Sequence, residues 1–215
     1  MSSTESATRG HPIFAAVYDT LNRMGEGTFL HEHRQYLAQD LQGSILDLGA
    51  GTGAMLPYFD QAAPRGSAIE LHGIEPDPYM LRRAERKAEN EGVNIRIEPA
   101  RAEQLPYPDE TFDRVVASVV FCTIPDVDEA LREVHRVLKI DGEFRFLEHV
   151  RSEGRLGRVQ DSLAPFWKHV SAGCHLNRET RQAIVESPLE MVELDTIEGI
   201  FPTKRIIRGT AARRY

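Results

Sequence analysis

Ile45-Leu46-Asp47-Leu48-Gly49-Ala50-Gly51-Thr52-Gly53 is the stretch on which the fold turns. A short apolar strand, Ser44 to Leu48, runs into a loop with glycine at every second position. Glycine enters left-handed backbone conformations freely, and without a Cβ the main chain can approach a ligand closely. In an open α/β sheet, ligands sit at the carboxyl ends of the strands, where this loop falls. The competing reading is a tight strand-to-helix turn that binds nothing. Three glycines in five residues weigh against it.

Outward from the loop, strands and helices alternate. Ala68 to Glu75 reads as a second strand. Asp77-Pro78 opens a helix, with Asp77 as N-cap and Pro78 in the first turn, and that helix runs past Leu81, Ala84 and Ala88 to a stop at Gly92. Val93 to Glu98 alternates as a third strand. Phe112 to Phe121, nearly all apolar in its second half, suits a central strand buried on both faces. Asp126 and Glu129 look like a capping pair for a helix ending near Lys139, and Glu143 to Val150 is a fifth strand. This alternation predicts an α/β, doubly wound sheet, mostly parallel.

Downstream, Leu156, Val159, Leu163, Phe166, Trp167 and Val170 share one helical stripe. Asn177 is placed to cap a helix over Arg178 to Glu186, and Val192–Ile197 and Arg205–Ala211 read as closing strands. Upstream, His11 to Asp40 reads as helical, with Ile13, Phe14, Val17, Tyr18 and Leu21 on one stripe. A break follows at Gly25 and Gly27, then a second stripe through Phe29, Leu30, Tyr36, Leu37 and Leu41. The expected organisation is a loose tail over 1–10, a helical cap over 11–42 and a cofactor-binding core over 43–150. A lid or acceptor-side insertion follows over 151–177, and a helix with closing strands of the same domain over 178–215.

The 215 residues carry a net charge of −7. Acidity argues against a general nucleic-acid binder, because counterion release needs clustered Lys and Arg. Arg205, Arg208, Arg213 and Arg214 alternate with apolar residues, as on a solvated strand face. Cys122 and Cys174 lie far apart in no CxxC arrangement, so the expectation is two reduced thiols in a reducing cytosol, with no metal. Met1 to Gly10 lacks the apolar stretch of a signal peptide, and no apolar run approaches spanning length. A soluble, cytoplasmic chain is expected, with membrane contact peripheral at most.

Glu75 ends the second strand, where a carboxylate can accept hydrogen bonds from both ribose hydroxyls of a nucleoside. A dinucleotide dehydrogenase is the rival reading, since Gly49, Gly51 and Ala54 satisfy the loose G-x-G-x-x-G/A spacing. Three details oppose it. Gly53 suits a loop around an amino-acid moiety. Asp47 would repel a pyrophosphate but suits a ligand bearing an ammonium and a sulfonium. No Tyr-x-x-x-Lys pair occurs in the chain.

On these residues the chain resembles the class I S-adenosylmethionine-dependent methyltransferases, especially the branch of ubiquinone and menaquinone C-methyltransferases. The resemblance runs from His11 to Gly142. It includes the glycine loop, Glu75, Ala102-Glu103-Gln104-Leu105-Pro106-Tyr107, Asp109-Glu110-Thr111-Phe112-Asp113 and the helix Ala130 to Leu138. It implies a seven-stranded sheet with an antiparallel last strand. It implies that S-adenosylmethionine is bound by Asp47, Gly49, Ala50, Gly51, Gly53, Glu75 and Pro76. Ala102 and Glu103 would flank the adenine, and Ser118 would form the floor. Apart from the resemblance, Tyr18 in the amino-terminal segment is the candidate for closing over the cofactor from the other side. One departure is Arg101, where the family often has an acid to meet the adenine amino group; arginine cannot accept a hydrogen bond. Ser118-Val119-Val120-Phe121-Cys122-Thr123, Phe146-Leu147-Glu148-His149-Val150 and Gly173-Cys174-His175-Leu176-Asn177-Arg178 are similar to the methyltransferase-like thiol methyltransferases of animals and their microbial relatives. Those animal proteins carry an amino-terminal membrane anchor, and none is expected here.

His149, His175 and Glu148 are the candidate catalytic residues. Alternation puts Glu148 and His149 on opposite faces, so only one can enter the site. The stripe over Leu156–Val170 has three readings: a helix packed on the sheet, a lid over an apolar acceptor, or a surface touching lipid through Phe166-Trp167. The expected activity is methyl transfer to a small, lipophilic thiol, phenol or amine. Two other classes remain open: a nucleotide-dependent oxidoreductase, and a non-catalytic S-adenosylmethionine-binding regulator.

Overall fold

A computed structural model describes residues 10–11, 30–62 and 69–214. Seven strands form one sheet: β1 (Gly43–Leu48), β2 (Ile69–Ile74), β3 (Ile95–Glu98), β4 (Phe112–Ser118), β5 (Leu138–Val150), β6 (Glu190–Glu198) and β7 (Arg205–Ala212). Their order is β3-β2-β1-β4-β5-β7-β6. The first five pair in parallel, and β7 runs against both β5 and β6. The strand order reverses between β1 and β4, and such a switch point opens a crevice at the strands' carboxyl ends. The described helices are α1 (His31–Leu37), α2 (Leu56–Ala62), α3 (Pro78–Glu91), α4 (Val127–Val137), α5 (Gly154–Val170) and α6 (Thr180–Glu186).

The middle strands are buried on both faces, as their unbroken apolar runs require. Leu46, Val115, Phe144 and Phe146 pack with Leu131 and Val134 of α4, while Ile45, Val116 and Leu147 pack with Leu37, Leu41 and Phe59. Burying each such side chain contributes roughly 1.5–3 kcal/mol. Start and stop signals act as expected on α3. The Asp77 carboxylate accepts from the N–H groups of Tyr79 and Met80, Pro78 opens the first turn, and Gly92 ends the helix at φ 71°. Asp126 caps α4 by accepting from the Glu129 N–H, but the Glu129 carboxylate turns to Arg132 instead of closing a capping box.

Several expected boundaries move. Leu138 leaves α4 directly into the sheet, paired with Phe112, so the helix ends at Val137 and β5 starts five residues before Glu143. β4 stops at Ser118, three residues before Phe121, because Val119 turns to φ 58°. β3 begins at Ile95 rather than Val93. Asn177 does not cap α6; its carboxamide donates to Asp161, and Glu179 holds the N-cap position without a side-chain bond. His11 is not helical, and its N–H donates to Asp77.

The α5 stripe also differs from the packed-helix reading. Val159, Leu163, Phe166 and Val170 face outward, Phe166 being 68% exposed, while Gly157, Gln160 and Ala164 form the buried side. The four basic residues near the end of the chain pair with acids: Arg205 with Glu153, Arg208 with Asp195, Arg213 with Glu110 and Arg214 with Asp141. The stripe through Ile13 and Leu21, and Tyr18 with it, lies outside the described residues. No helix among the described residues is long and apolar enough to cross a membrane.

Candidate active site

Gly49, Gly51 and Gly53 all adopt left-handed backbone, at φ 75°, 59° and 85°. They serve different neighbours. A Cβ on Gly49 would lie 2.2 Å from a Val120 methyl, and one on Gly53 would lie 2.6 Å from Leu56. A Cβ on Gly51 would meet nothing nearer than the Gly49 carbonyl, at 3.9 Å, so it would project into open space. That space is a cavity of about 500 Å³ at the switch point. Gly53 does not line it. That glycine shapes the loop from behind, and its carbonyl accepts from Lys87 at 2.9 Å.

Asp47, Gly49, Ala50, Gly51, Glu75, Pro76, Ala102, Glu103 and Ser118 all line the cavity. Glu75 is buried, with Oε2 accepting from the Gly51 N–H at 2.9 Å and Oε1 from the Asp77 N–H at 2.7 Å. Burial raises its pKa to about 7 against the pull of those two bonds. Asp47 is likewise raised to about 7 by burial, with Arg34 opposing, and its Oδ2 has no hydrogen-bond partner among the described residues. Arg101 reaches Glu103 across 3.5 Å, so the acid of this segment sits two residues after the place where the family often carries one.

The other half of the cavity is lined by Cys122, His149, Trp167 and Cys174. Alternation along β5 sends His149 into this wall and Glu148 away from it. Fully buried, Glu148 accepts from the N–H groups of Val120 and Phe121 at 2.8 and 3.2 Å. Its pKa is pushed up to about 7, mainly by burial. Glu148 therefore braces the turn after β4 and does not reach the cavity. That turn holds Val119 at φ 58°, a strained conformation for a β-branched residue, and the Val119 N–H donates to Leu147 at 2.7 Å.

His149 Nε2 lies 3.4 Å from Cys174 Sγ. The Cys174 thiol is lowered to about 5, foremost by a hydrogen bond from Cys122 and then, against burial, by His149. Cys122, which donates that bond, is raised. The indole N–H of Trp167 lies near the same sulfur without closing a hydrogen bond, and favours the thiolate further. His175 is held outside the cavity. Its N–H donates to the Cys122 carbonyl at 2.9 Å, and its Nδ1 faces the Arg178 guanidinium at 3.1 Å. The same Nδ1 also lies 3.1 Å from the Cys122 carbonyl, so this nitrogen is engaged by its own surroundings in either tautomer.

The two cysteines, distant in sequence, thus share one wall, and nothing local in the chain announces this. Arg34 joins the site residues as well. It lies buried on the cavity wall, with Nε 3.3 Å from Ser118 Oγ. A signal existed, because Leu30, Arg34, Leu37 and Leu41 follow helical spacing and put a cation on an apolar face.

Residues 46–146 match the family model described as a methyltransferase domain. A phosphatidylethanolamine N-methyltransferase of Cereibacter sphaeroides is 32% identical over 175 residues, covering 77% of this chain and 80% of that protein. The chain belongs to the class I S-adenosylmethionine-dependent methyltransferases. Among this family, the ubiquinone/menaquinone biosynthesis C-methyltransferase UbiE of Rickettsia bellii is 31% identical over 181 residues, covering 80% of this chain and 70% of its own. The rat thiol S-methyltransferase TMT1B is 33% identical over 167 residues, covering 73% and 66%. The methyltransferase fold is also that of a solved S-adenosylmethionine-dependent methyltransferase from Aquifex aeolicus. That structure has a TM-score of 0.65 at 16% identity and covers 93% of this chain and 98% of its own.

Proposed function

We propose that this methyltransferase methylates a small lipophilic acceptor, a thiol, phenol or amine, held against the wall of His149 and Cys174. The observation that carries the reading is one cavity walled from two sides of β4. The ends of β1 and β2 contribute two buried carboxylates, Asp47 and Glu75. The end of β5, α5 and the loop after it contribute His149, Trp167 and Cys174. S-adenosylmethionine, when bound, supplies a methyl group on a positively charged sulfur. Glu75 would accept from ribose hydroxyls, and the Asp47 oxygen that lacks a partner among the described residues would accept from the ammonium. Gly51 leaves its space clear, and Glu103 is the acceptor near the adenine. Beyond them the acceptor wall aligns the attacking atom and excludes water, and alignment alone supplies much of the acceleration of an in-line displacement. The three relatives are named for a nitrogen, a carbon and a sulfur acceptor respectively, so the acceptor atom is decided by turnover against a panel of thiols, phenols and amines. S-adenosylhomocysteine release with any lipophilic member supports the reading, and no turnover across the panel with intact cofactor binding rejects it.

Cofactor affinity should depend on pH. Carboxyls raised to about 7 still hold protons in the ligand-free protein at neutral pH, whereas hydrogen-bond acceptance needs them ionised. Affinity for S-adenosylhomocysteine should therefore rise by roughly tenfold or more from pH 5.5 to 7.5. Stability of the ligand-free fold carries the opposite sign for these groups. The native state retains protons that the unfolded chain has shed, so their contribution becomes less favourable as pH climbs from the unfolded carboxyl range toward 7. Calorimetry across that range checks the first effect, and a flat affinity would contradict it.

Trp167→Ala should raise the acceptor Michaelis constant while leaving the S-adenosylhomocysteine dissociation constant within about twofold, as removal of binding on the acceptor side alone requires. Equal loss of both, with a large fall in melting temperature, would make Trp167 a packing residue.

A further inference from the structure

We propose that Cys122, His149 and Cys174 form a binding site for a soft divalent cation of the zinc class, with a fourth position open to the cavity. Two thiol sulfurs and one ring nitrogen lie within 4.8 Å of one another. They come from three separate segments: the turn after β4, the end of β5 and the loop after α5. Tetrahedral zinc, with sulfur at about 2.3 Å and nitrogen at about 2.0–2.1 Å, sets its ligand atoms roughly 3.5–3.8 Å apart. The 3.4 Å between His149 Nε2 and Cys174 Sγ is close to that edge length.

The supports are tied to one another. Cys122 sits on the turn braced by Glu148, and its carbonyl accepts the His175 N–H, which ties that turn to the residue after Cys174. Two sulfurs and an imidazole select zinc-like cations over magnesium or calcium, which prefer oxygen. Three protein ligands with one position left for solvent or substrate is the arrangement of catalytic sites, whereas structural zinc is enclosed by four. All three side chains line the cavity, so the remaining position faces it.

The site deepens the methyl-transfer reading, on which its role rests, by selecting thiols as the acceptor class. A thiol that takes the fourth position gives up its proton to solvent, because a coordinating thiol is held as thiolate. Its sulfur then forms the new S–CH3 bond as the sulfonium S–CH3 bond breaks, and the electron pair of the broken bond stays on the departing thioether.

The test uses the reduced, metal-stripped full chain and does not depend on turnover. Zinc is titrated against a chromogenic chelator, and cobalt(II) serves as a spectroscopic probe. The expected result is one equivalent per chain, with thiolate-to-cobalt charge-transfer absorption and the visible bands of four-coordinate cobalt. Cys122→Ser and Cys174→Ser should each weaken zinc binding by more than roughly 100-fold, beyond the 10–100-fold typical of losing an outer-sphere partner. Hexanethiol should shift the cobalt spectrum and hexanol should not. Absence of charge transfer in the wild-type protein, serine variants that bind normally, a spectrum indifferent to hexanethiol, or quantitative oxidation of the pair to a disulfide would each overturn the proposal. S-adenosylhomocysteine calorimetry on the same samples reports the cofactor reading separately: intact binding in a chain that takes no metal rejects the site alone.

Discussion

Glu75→Ala should weaken S-adenosylhomocysteine binding by two or more orders of magnitude. The carboxylate is buried at the end of β2, on the cavity wall. Hydrogen bonds to charged groups are worth roughly 1.5–3 kcal/mol each, so two ribose hydroxyls lost together cost about 3–6 kcal/mol. The same change strips the Gly51 and Asp77 N–H groups of their acceptor, and Gly51 sits in the loop that should meet the ligand. Glu75→Gln retains a carbonyl acceptor without the charge and should fall between wild type and Ala. Gly51→Val tests the neighbouring claim, since its side chain would occupy the open space and its backbone would be strained at φ 59°. Calorimetry that found Glu75→Ala binding at wild-type strength would remove Glu75 from the ribose and undo the assignment of this end of the cavity.

His149→Ala should lower turnover by roughly 10²–10⁴, the range for a group that handles the reacting atom, equivalent to about 3–5 kcal/mol of transition-state stabilisation. His175→Ala should leave turnover within about tenfold of wild type, because that ring is engaged by Arg178 and lies off the cavity wall. Its loss should appear as reduced melting temperature. Steady-state rates for both variants on one accepted substrate separate the two histidines. Equal and large losses would mean that the loop carrying Cys174 and His175 acts as one unit, and near-normal rates for both would reduce the acceptor wall to pure alignment.

The glycine loop is legible in the sequence because its signal is local: left-handed backbone at alternate positions needs glycine, whatever lies around it. Asp77, Pro78 and Gly92 bracket α3 for equally local reasons. The start of β5 was not readable. Leu138 continues in amphipathic register with α4, and only pairing with Phe112 pulls it into the sheet. The α5 stripe shows a second limit, since helical spacing reveals that a face is apolar but not what it meets. For Asn177, a good capping residue stands in the right place, yet Asp161 offers a competing acceptor from a helix that sequence spacing does not bring near. The Cys122–His149–Cys174 cluster is the extreme case. Its members share no periodicity, and chain topology alone unites them.

The pairing of β5 has a consequence for how fast different parts of the cavity can open. Residues Glu143 to Leu147 are flanked by β4 on one side and β7 on the other, and the β7 partnership continues to Val150. Amide protons along this segment should exchange with deuterium only through global unfolding, whereas the residues around Cys174, outside the sheet, exchange through local opening. The β5 side of the acceptor wall is then permanent on the timescale of turnover, and among the described residues of this wall those on the α5 side are the ones that can open to admit substrate and release product.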